Sequence, residues 1–255
     1  MDFIVTANTD IGLVKDTNQD GMSVKVINTK QGKMTFAILC DGMGGLAKGE
    51  VASTTLISAF NDWVNNELPI LCKSEINDAQ IRKQWDDIVV KYNNLIKAYG
   101  ARQGIRLGTT AVIMLLTQTR YYIMNVGDSR AYEISDTLYQ ITEDQTFVAN
   151  EIKHGRMTPE EAKVDPRRNV LLQCVGASED VYPEMFFGQT RKDAVYMLCS
   201  DGFRHEITPD EIYEKFHPNV LVDKATMDNN TLYLIDLNKQ RAERDNISVV
   251  LVRTY

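Results

Sequence analysis

Short apolar runs rich in β-branched and aromatic residues occur at both ends and in the middle of this 255-residue chain, and they constrain its fold more than any other feature. They do not alternate one by one with helical segments, as the strands of a doubly wound parallel sheet do. The helical segments are instead inserted in pairs between groups of strands. This order predicts an α+β fold in which antiparallel sheets form a sandwich covered by helices.

Strands are predicted where apolar or alternating residues run between turn residues. They cover residues 3–10, 21–28, 34–40, 109–116, 121–127, 130–134, 184–190, 194–200 and 246–253. Helices are predicted after Gly45, over about 75–100, over 208–216 with Thr208 as N-cap, and over about 219–241. Residues 142–183 are polar and predict short helices and loops. Because the chain shows no repeat and no linker, we expect one domain over 1–255.

Composition excludes several classes of function. The net charge is -7 and the pI is about 5.1, whereas nucleic-acid binding needs patches of lysine and arginine. No apolar run approaches the ~20 residues of a membrane span, and the first residues do not resemble a signal peptide. The four cysteines form no C-x-x-C pair and are expected to be free thiols. We therefore expect a cytoplasmic monomer with no nucleic-acid or membrane partner.

Five aspartates share an unusual position at the ends of apolar strands. They are Asp20, Asp41, Asp128, Asp201 and Asp245. Each one alone has an ordinary explanation, because an acid at a strand end often caps a turn. Strand ends at one edge of a sheet can converge, however, and convergent carboxylates repel one another unless cations neutralise them. No lysine or arginine directly adjoins Asp41 or Asp201 in the sequence, so we expect bound cations.

Oxygen ligands in such number suit Mg²⁺ or Mn²⁺, whereas Zn²⁺ prefers histidine and cysteine. Gly42 and Gly202 each follow an aspartate, and glycine lets a backbone carbonyl approach a metal without a side chain in the way. Paired cations ~3.5–4 Å apart are typical of phosphate-ester hydrolysis. In that chemistry a shared bound water becomes a hydroxide near neutral pH and attacks phosphorus in line.

Other chemistries find little support in the sequence. The three histidines, His154, His205 and His217, are too scattered for a catalytic triad or a zinc site. His205 follows Asp201 closely and could reach the same cleft, although an ordinary loop histidine is the favoured reading. Ser129 and Ser200 adjoin key acids, but no base is placed to activate either hydroxyl, which argues against a covalent mechanism. The glycine cluster at 42–45 lacks the Lys-Ser/Thr end of a nucleotide-binding loop.

The sequence resembles the bacterial form of the metal-dependent protein phosphatases of type 2C in eight ordered blocks. They are DIGLVKDTNQD (10–20), LCDGMGGLAKGEVAS (39–53), GTTAV (108–112), NVGDSRAY (125–132), QITEDQTFV (140–148), NVLLQCVGAS (169–178), LCSDGF (198–203) and RDNISVVLV (244–252). The resemblance implies a central antiparallel β-sandwich flanked by pairs of α-helices. It also implies hydrolysis of phosphoserine and phosphothreonine by a metal-bridging water, without a covalent intermediate.

The same resemblance assigns roles to the candidate ligands. Asp41 is expected to bridge two core Mn²⁺ or Mg²⁺ ions, and the Gly42 carbonyl to ligate one of them. Asp201 and Asp245 are expected to complete the first metal site. Asp20 is expected to act in or near the metal's ligand shell, partly through water.

Two further features follow from the family pattern. Asp128, together with Asp201, is expected to hold a third, weaker ion. Residues 142–183 correspond to the family's flap, a mobile region beside the cleft that influences the choice of substrate. By resemblance, the partners are phosphorylated proteins, including a cognate Ser/Thr kinase and its targets.

The chain departs from the family pattern at three positions. Lys15 stands where the family usually has an arginine that binds the substrate phosphate. Lysine offers a point charge, whereas arginine donates two hydrogen bonds to one phosphate in bidentate fashion. Met43 stands where eukaryotic relatives have a histidine, and it is expected to be a packing residue. Gln145 replaces a family histidine, so no acid–base role is expected at that position.

Two alternatives to a protein phosphatase stay open at this point. The first is a non-catalytic relative that binds metal and serves as a regulatory module, a reading favoured only by the substitution at Lys15. The second is a phosphatase of small phosphorylated metabolites. Retention of every candidate ligand favours an active enzyme over the first alternative.

Overall fold

The computed structural model describes residues 1–44 and 48–255, which contain eleven strands and eight helices. In chain order they are β1 (Phe3–Asp10), β2 (Asp20–Thr29), β3 (Gly32–Gly44), α1 (Gly49–Asn66), α2 (Leu68–Leu71), α3 (Asp78–Gln103), β4 (Leu107–Thr109), β5 (Ala111–Leu116), β6 (Arg120–Val126), β7 (Arg130–Ile134), β8 (Leu138–Gln140), α4 (Phe147–Lys153), α5 (Pro159–Val164), β9 (Glu184–Gln189), β10 (Val195–Cys199), α6 (Asp201–Arg204), α7 (Pro209–Phe216), α8 (Lys224–Gln240) and β11 (Ile247–Thr254). Residues 45–47, which fall within the predicted glycine-rich cluster and helix start, lie outside the described residues.

The strands form two antiparallel sheets. The first sheet has the order β1-β11-β10-β7-β8, and the second has the order β2-β3-β5-β6-β9 with β4 paired to β3. β1 pairs with β11 along its whole length, from Phe3 opposite Thr254 to Asp10 opposite Ile247. The predicted α+β fold with a central antiparallel β-sandwich is confirmed.

Alternate side chains of the central strands enter different layers of the core. In β10, Val195, Met197 and Cys199 pack under the helices. Tyr196 and Leu198 of the same strand point the other way, into the layer between the two sheets. A strand buried on both faces must be apolar at nearly every position, which explains the continuous apolar runs in the sequence.

Helices cover the outer face of each sheet. Phe36 of β3 lies 6.3, 6.2 and 6.4 Å, between ring centroids, from Phe60 and Trp63 of α1 and Trp85 of α3. On the opposite side, α7 and α8 pack apolar residues, such as Phe216, against the first sheet. The layers therefore follow the predicted order of helix, sheet, sheet and helix. None of the helices within residues 1–44 and 48–255 combines the length and apolar character of a membrane-crossing segment.

Several predicted boundaries differ from the structure. The strand predicted to end at Cys40 continues to Gly44, because the short strand β4 pairs with its last three residues. The single strand predicted over 109–116 is divided at Thr110 into β4 and β5. The three-residue strand β8 was not predicted, and α8 begins at Lys224 with the Asp223 side chain as its N-cap. The N-cap at Thr208 is confirmed, since its side chain accepts the Glu211 N–H.

Candidate active site

The structure brings the five predicted aspartates together at one end of the sandwich. Asp20 and Asp41 are cross-strand partners in the β2–β3 pair of the second sheet. Asp201 lies two residues after the end of β10 and Asp245 two residues before the start of β11, and these two strands pair in the first sheet. Asp128 lies on the connection between β6 of one sheet and β7 of the other. The charges of the other four aspartates all act on Asp41, which is the centre of the cluster.

Thr110 holds the backbone of Asp41 in place. The Thr110 N–H donates to Asp41 O (2.9 Å), and the Asp41 N–H donates to Thr110 Oγ1 (3.0 Å). The Thr110 hydroxyl also lies 2.7 Å from Ser129 Oγ, beside Asp128. Thr110 stands at the break between β4 and β5, where its polar groups are free to bond with Asp41. Sequence reasoning missed this residue, although the GTTAV block contains it.

The turn that carries Asp128 depends on a glycine and a glutamine. Gly127 has φ +101°, and a Cβ there would lie 2.7 Å from Thr110 Cγ2. Gln145 Oε1 accepts the Gly127 N–H (2.8 Å), and the Gln145 N–H donates to Gly127 O (3.0 Å). Gln145, which replaces a histidine of the family pattern, is therefore a buried support for this turn.

The ends of β10 and β11 are joined by two serines. The Ser200 N–H donates to Ser248 O (3.1 Å), and the Ser248 N–H donates to Ser200 Oγ (3.0 Å). These bonds fix the spacing between Asp201 and the N-terminal end of β11. The carboxylate of Glu243 accepts the N–H groups of Arg244 (2.7 Å) and Asp245 (2.8 Å), which orders the turn before β11. The Ser200 hydroxyl thus has a structural role, and the Ser248 hydroxyl lies 2.7 Å from Thr9 Oγ1 of β1.

Asn246 links this turn to the loop between β1 and β2. Its side-chain oxygen accepts the Gln19 N–H (2.9 Å), and its amide donates to Ile11 O (2.9 Å) and Thr17 O (3.3 Å). Gly202 approaches the same residue so closely that a Cβ on it would lie 2.2 Å from Asn246 O. Asn246 is buried, and sequence reasoning missed it although it directly follows a predicted ligand.

Burial and mutual repulsion raise the pKa values of the central carboxylates. Burial raises the pKa of Asp41 well above its ordinary value, and the charges of the other aspartates raise it further. Burial and the charge of Asp201 raise the pKa of Asp20 to about 7, while neighbouring serine hydroxyls act in the opposite direction. Burial and the charge of Asp201 also raise the pKa of Asp128 to about 7, although the charge of Arg204 acts to lower it. Protons or cations must neutralise such a cluster.

Two basic side chains reach the cluster from segments that do not adjoin Asp41. Lys15 Nζ lies 2.8 Å from Asp245 Oδ1. Partial burial acts to lower the pKa of Lys15, but the hydrogen bond to Asp245 and the nearby aspartate charges outweigh it and raise that pKa. The Arg204 guanidinium donates to Asp128 O (3.1 Å) and lies 3.9 Å from Asp128 Oδ2. Arg204 was missed, and its i+3 spacing from Asp201 was the available signal.

The donor atoms present suit a divalent cation. Both carboxylate oxygens of Asp20 and Oδ1 of Asp201 are buried without a hydrogen-bond partner, and leaving such atoms unpaired is costly. In the conformation described, no three histidine, cysteine, aspartate or glutamate side chains of residues 1–44 and 48–255 converge as a ligand group for one ion. The carboxylates thus form an acidic cleft, and their side chains must rotate to surround a cation.

Gly42 admits no side chain. A Cβ there would lie 2.4 Å from Gly49 O and 2.5 Å from Gln19 O. With its amide oriented to satisfy both neighbours, Gln19 donates to Gly42 O (3.1 Å) and accepts the Gly49 N–H (3.2 Å). A carbonyl oxygen has two lone pairs, so one stays available to a cation. Met43, the next residue, is half-buried in the β3–β4 pair.

One histidine reaches the edge of the cleft. His205 Nε2 lies 3.6 Å from Asp201 Oδ2, and its Nδ1 lies 3.4 Å from Glu243 Oε2. Burial acts to lower the pKa of His205, but the bond to Glu243 and the charge of Asp201 raise it above its ordinary value. His154 bonds to a backbone carbonyl of α4, and His217 makes an edge-to-face contact with a tyrosine of α7.

Comparisons with known proteins agree with this fold. The family model for protein phosphatase 2C matches residues 14–230. A putative protein phosphatase 2C-type of Streptococcus pyogenes is 30% identical over 251 residues, which cover 97% of this chain and 96% of that protein. The solved serine/threonine phosphatase of S. agalactiae superposes with a TM-score of 0.84 at 26% identity, covering 99% and 100% of the two chains.

A further structural neighbour is the catalytic domain of the serine/threonine protein phosphatase PstP in complex with two manganese ions. It is 28% identical with a TM-score of 0.75, and the match covers 98% of this chain and 97% of that one. Fold and site define an α+β sandwich protein with an acidic centre suited to divalent cations. The chain belongs to the protein phosphatase 2C family. The predicted resemblance to that family, and the prediction of a phosphatase enzyme, are confirmed.

Proposed function

We propose that this protein is a metal-dependent protein serine/threonine phosphatase that hydrolyses phosphoserine and phosphothreonine without a covalent intermediate. The cluster of five aspartates carries the proposal, because the carboxylate oxygens of Asp20 and one oxygen of Asp201 are buried and unpaired. Membership of the protein phosphatase 2C family supports it.

The core ions would be held by residues from both sheets. Asp41, at the centre of the cluster, is the proposed bridge between two ions, and the carbonyl of Gly42 would ligate one of them. Asp201 and Asp245 would complete the first site from the opposite sheet. Asp20, the cross-strand partner of Asp41, would contribute directly or through water.

A third and weaker ion is proposed beside Asp128 and Asp201. Burial of Asp128 and its repulsion by Asp201 favour a cation there, and Arg204 supplies part of the compensating charge. The oxygen donors accept either Mn²⁺ or Mg²⁺. A neighbour with two manganese ions supports manganese at the core sites.

When bound, divalent ions supply the positive charge that activates water for in-line attack at phosphorus and offsets the charge of the phosphoryl group. The protein contributes a cation beside that centre, since the Lys15 ammonium has three N–H donors and can orient the substrate phosphate. Ser129 and Ser200 are fully buried and hydrogen-bonded, which supports hydrolysis without a serine nucleophile.

The proposed substrates are phosphorylated proteins, among them a cognate Ser/Thr kinase and its targets. Relatives over nearly the full chain are named serine/threonine phosphatases, which supports this class of substrate. Residues 142–183 are proposed as the flap that influences which protein is accepted.

Hydrolysis of a phosphothreonine peptide and of p-nitrophenyl phosphate, with MnCl₂, MgCl₂ or EDTA, tests the proposal. We expect metal-dependent turnover by the wild type and none by Asp41→Asn. Turnover no greater than that of Asp41→Asn would refute an enzymatic role. Faster hydrolysis of free phosphorylated metabolites than of phosphopeptides would instead indicate a small-molecule phosphatase.

A further inference from the structure

A cavity of about 810 Å³ opens beside the candidate active site. Lys15 and Asp245 both line the cavity, and Asp245 is one of the five clustered aspartates. One wall is formed by residues 163, 164, 168 and 169 of the predicted flap, and the other by 205, 206 and 242–245. A substrate segment with its phosphate next to Lys15 would therefore extend into this cavity.

Three basic side chains of the cavity have no partner among the described residues. Lys163 and Arg168 come from the predicted flap and Arg244 from the turn before β11, and all three are exposed. Among residues 1–44 and 48–255, none of them forms an ion pair or a side-chain hydrogen bond. Their charges are therefore available to a ligand.

Two neighbouring arginines outside the cavity lining form ion pairs with carboxylates. Arg167, directly before Arg168, lies 2.8 Å from a carboxylate oxygen of Asp165. Arg241, three residues before Arg244, lies 2.6 Å from Glu211. The two arginines outside the cavity lining are thus paired with carboxylates, whereas the two that line it are unpaired among the described residues.

Most acidic groups of the cavity are already neutralised. Asp245 is paired with Lys15, and Glu243 contacts His205 and accepts two backbone N–H groups. Glu206 is the single acid of the lining whose carboxylate has no such partner within the described chain. The uncommitted charges of the cavity are consequently three positive and one negative, in a protein whose net charge is -7.

We propose that this cavity binds acidic groups that flank the phosphorylated residue, so that the preferred substrates are phosphoserine or phosphothreonine segments rich in carboxylates or carrying a second phosphate. The inference deepens the proposed function and rests on it. Opposite charges across an interface favour the right partner and speed its association. Exposed charges are screened by salt, so the preference weakens as ionic strength rises.

Three phosphothreonine peptides that differ only in their flanking residues, which are Glu, Gln or Lys, test the inference with Mn²⁺ present. We expect kcat/KM for the Glu peptide to exceed that for the Gln peptide about tenfold, equivalent to about 1.4 kcal/mol, and the Lys peptide to be the poorest. A fourth peptide with a second phosphothreonine in place of the flanking Glu separates a phosphate preference from a carboxylate preference.

The triple variant K163Q/R168Q/R244Q should bring the kcat/KM values of the Glu and Gln peptides to within about twofold of each other. The matched control is Lys30→Gln, because Lys30 is also unpaired among the described residues and lies in the turn at the far end of the β2–β3 pair from Asp20 and Asp41. It should retain the wild-type ratio. Circular dichroism of each single variant checks that the exposed substitutions leave the fold intact.

Two results would overturn the inference while the proposed function stands. One is equal kcat/KM for the Glu, Gln and Lys peptides in the wild type. The other is an acidic preference that persists in the triple variant. If neither the peptides nor p-nitrophenyl phosphate is hydrolysed, the proposed function fails and this inference fails with it.

Discussion

Lys15 Nζ lies 2.8 Å from Oδ1 of Asp245, so the proposed phosphate-binding cation contacts a proposed metal ligand. The contact keeps the ammonium beside the aspartate cluster although its loop is exposed. The hydrogen bond and the nearby carboxylates also raise the pKa of Lys15, so it remains charged at neutral pH. A lysine fixed in this way can act where the family usually has an arginine.

Lys15→Ala should therefore reduce kcat/KM for a phosphopeptide by roughly tenfold to a hundredfold, the effect of one lost hydrogen bond to a charged group. Lys15→Arg should retain or improve the wild-type value, because a guanidinium binds phosphate through two donors. Steady-state kinetics measures both. Full activity in Lys15→Ala would show that Lys15 is an ordinary surface lysine.

Asp41→Asn should make the metal-free protein more stable while abolishing activity. It replaces a carboxyl group whose pKa is raised by burial and by the charges of the other aspartates, so that ionisation of Asp41 no longer opposes folding. Melting in EDTA should then occur at a higher temperature than in the wild type, by about 2–4 °C for each kcal/mol of relieved repulsion. Added Mn²⁺ should raise the melting temperature of the wild type more than that of the variant. A lower melting temperature for Asp41→Asn in EDTA would contradict this account.

Asp128→Ala should impair turnover and leave two core ions bound. Asp128 lies on the connection between the sheets, and its charge acts with that of Asp201 at the proposed third site. Calorimetric titration with Mn²⁺ should count one weak ion fewer in the variant than in the wild type. Loss of both tightly bound ions would refute the assignment of Asp128 to the third site.

Asn246→Ala should weaken metal binding through the loop that precedes Asp20. It removes one accepted and two donated hydrogen bonds to the backbone of that loop, and each such bond contributes about 0.5–1.5 kcal/mol. We expect a lower melting temperature and a higher Kd for Mn²⁺. Asn246→Asp, which keeps the acceptor and loses the donors, should be intermediate.

Asn93→Ala provides the matched control for that experiment. Asn93 is also buried, and it bonds to Gly176 N–H and Ser178 O of a different loop. It should lower the melting temperature without changing the Kd for Mn²⁺. A Kd unaffected in Asn246→Ala would mean that Asn246 stabilises the fold without positioning the site.

The convergence of the five aspartates could be predicted from the sequence because each stands beside an apolar run. The residues that hold these aspartates in place could not be predicted in this way. Asn246 bonds to Gln19, which is 227 residues away, and Thr110 bonds to Asp41 across 69 residues. A single Asn or Thr carries no local signal of such a partner. Only the pairing of β2 with β3 and of β10 with β11 brings these segments together.

The same distinction applies to the fold. Long strands with apolar residues on both faces, such as β10 and β11, could be predicted from local pattern alone. The extension of β3 past Cys40 could not, because it depends on pairing with β4, which lies more than sixty residues later in the chain. The aspartate pair formed by Asp20 and Asp41 likewise depends on register, which the sequence does not encode locally.

The capping box of α7 gives a stability prediction that is independent of the active site. Glu211 accepts the Thr208 N–H (2.8 Å) and forms an ion pair with Arg241, the residue directly after α8. The hydrogen bond to Arg241 and those to Thr208 lower the pKa of Glu211 to about 2. Glu211→Gln should therefore lower the melting temperature at neutral pH, because it removes the charge that both partners bind.

The pH dependence distinguishes this cause from a change in packing. A carboxylate whose folded-state pKa is depressed stabilises the fold fully above its ordinary pKa of 4.5, and the contribution disappears as the pH falls through about 2. The difference in melting temperature between wild type and Glu211→Gln should be constant from pH 7 to about 5 and shrink steadily below that. Thr208→Ala removes a cap worth about 1 kcal/mol but only one of the hydrogen bonds that lower the pKa of Glu211, so it should show a smaller convergence. A wild-type advantage that persists undiminished at the acid end would assign the effect of Glu211 to packing and not to its charge.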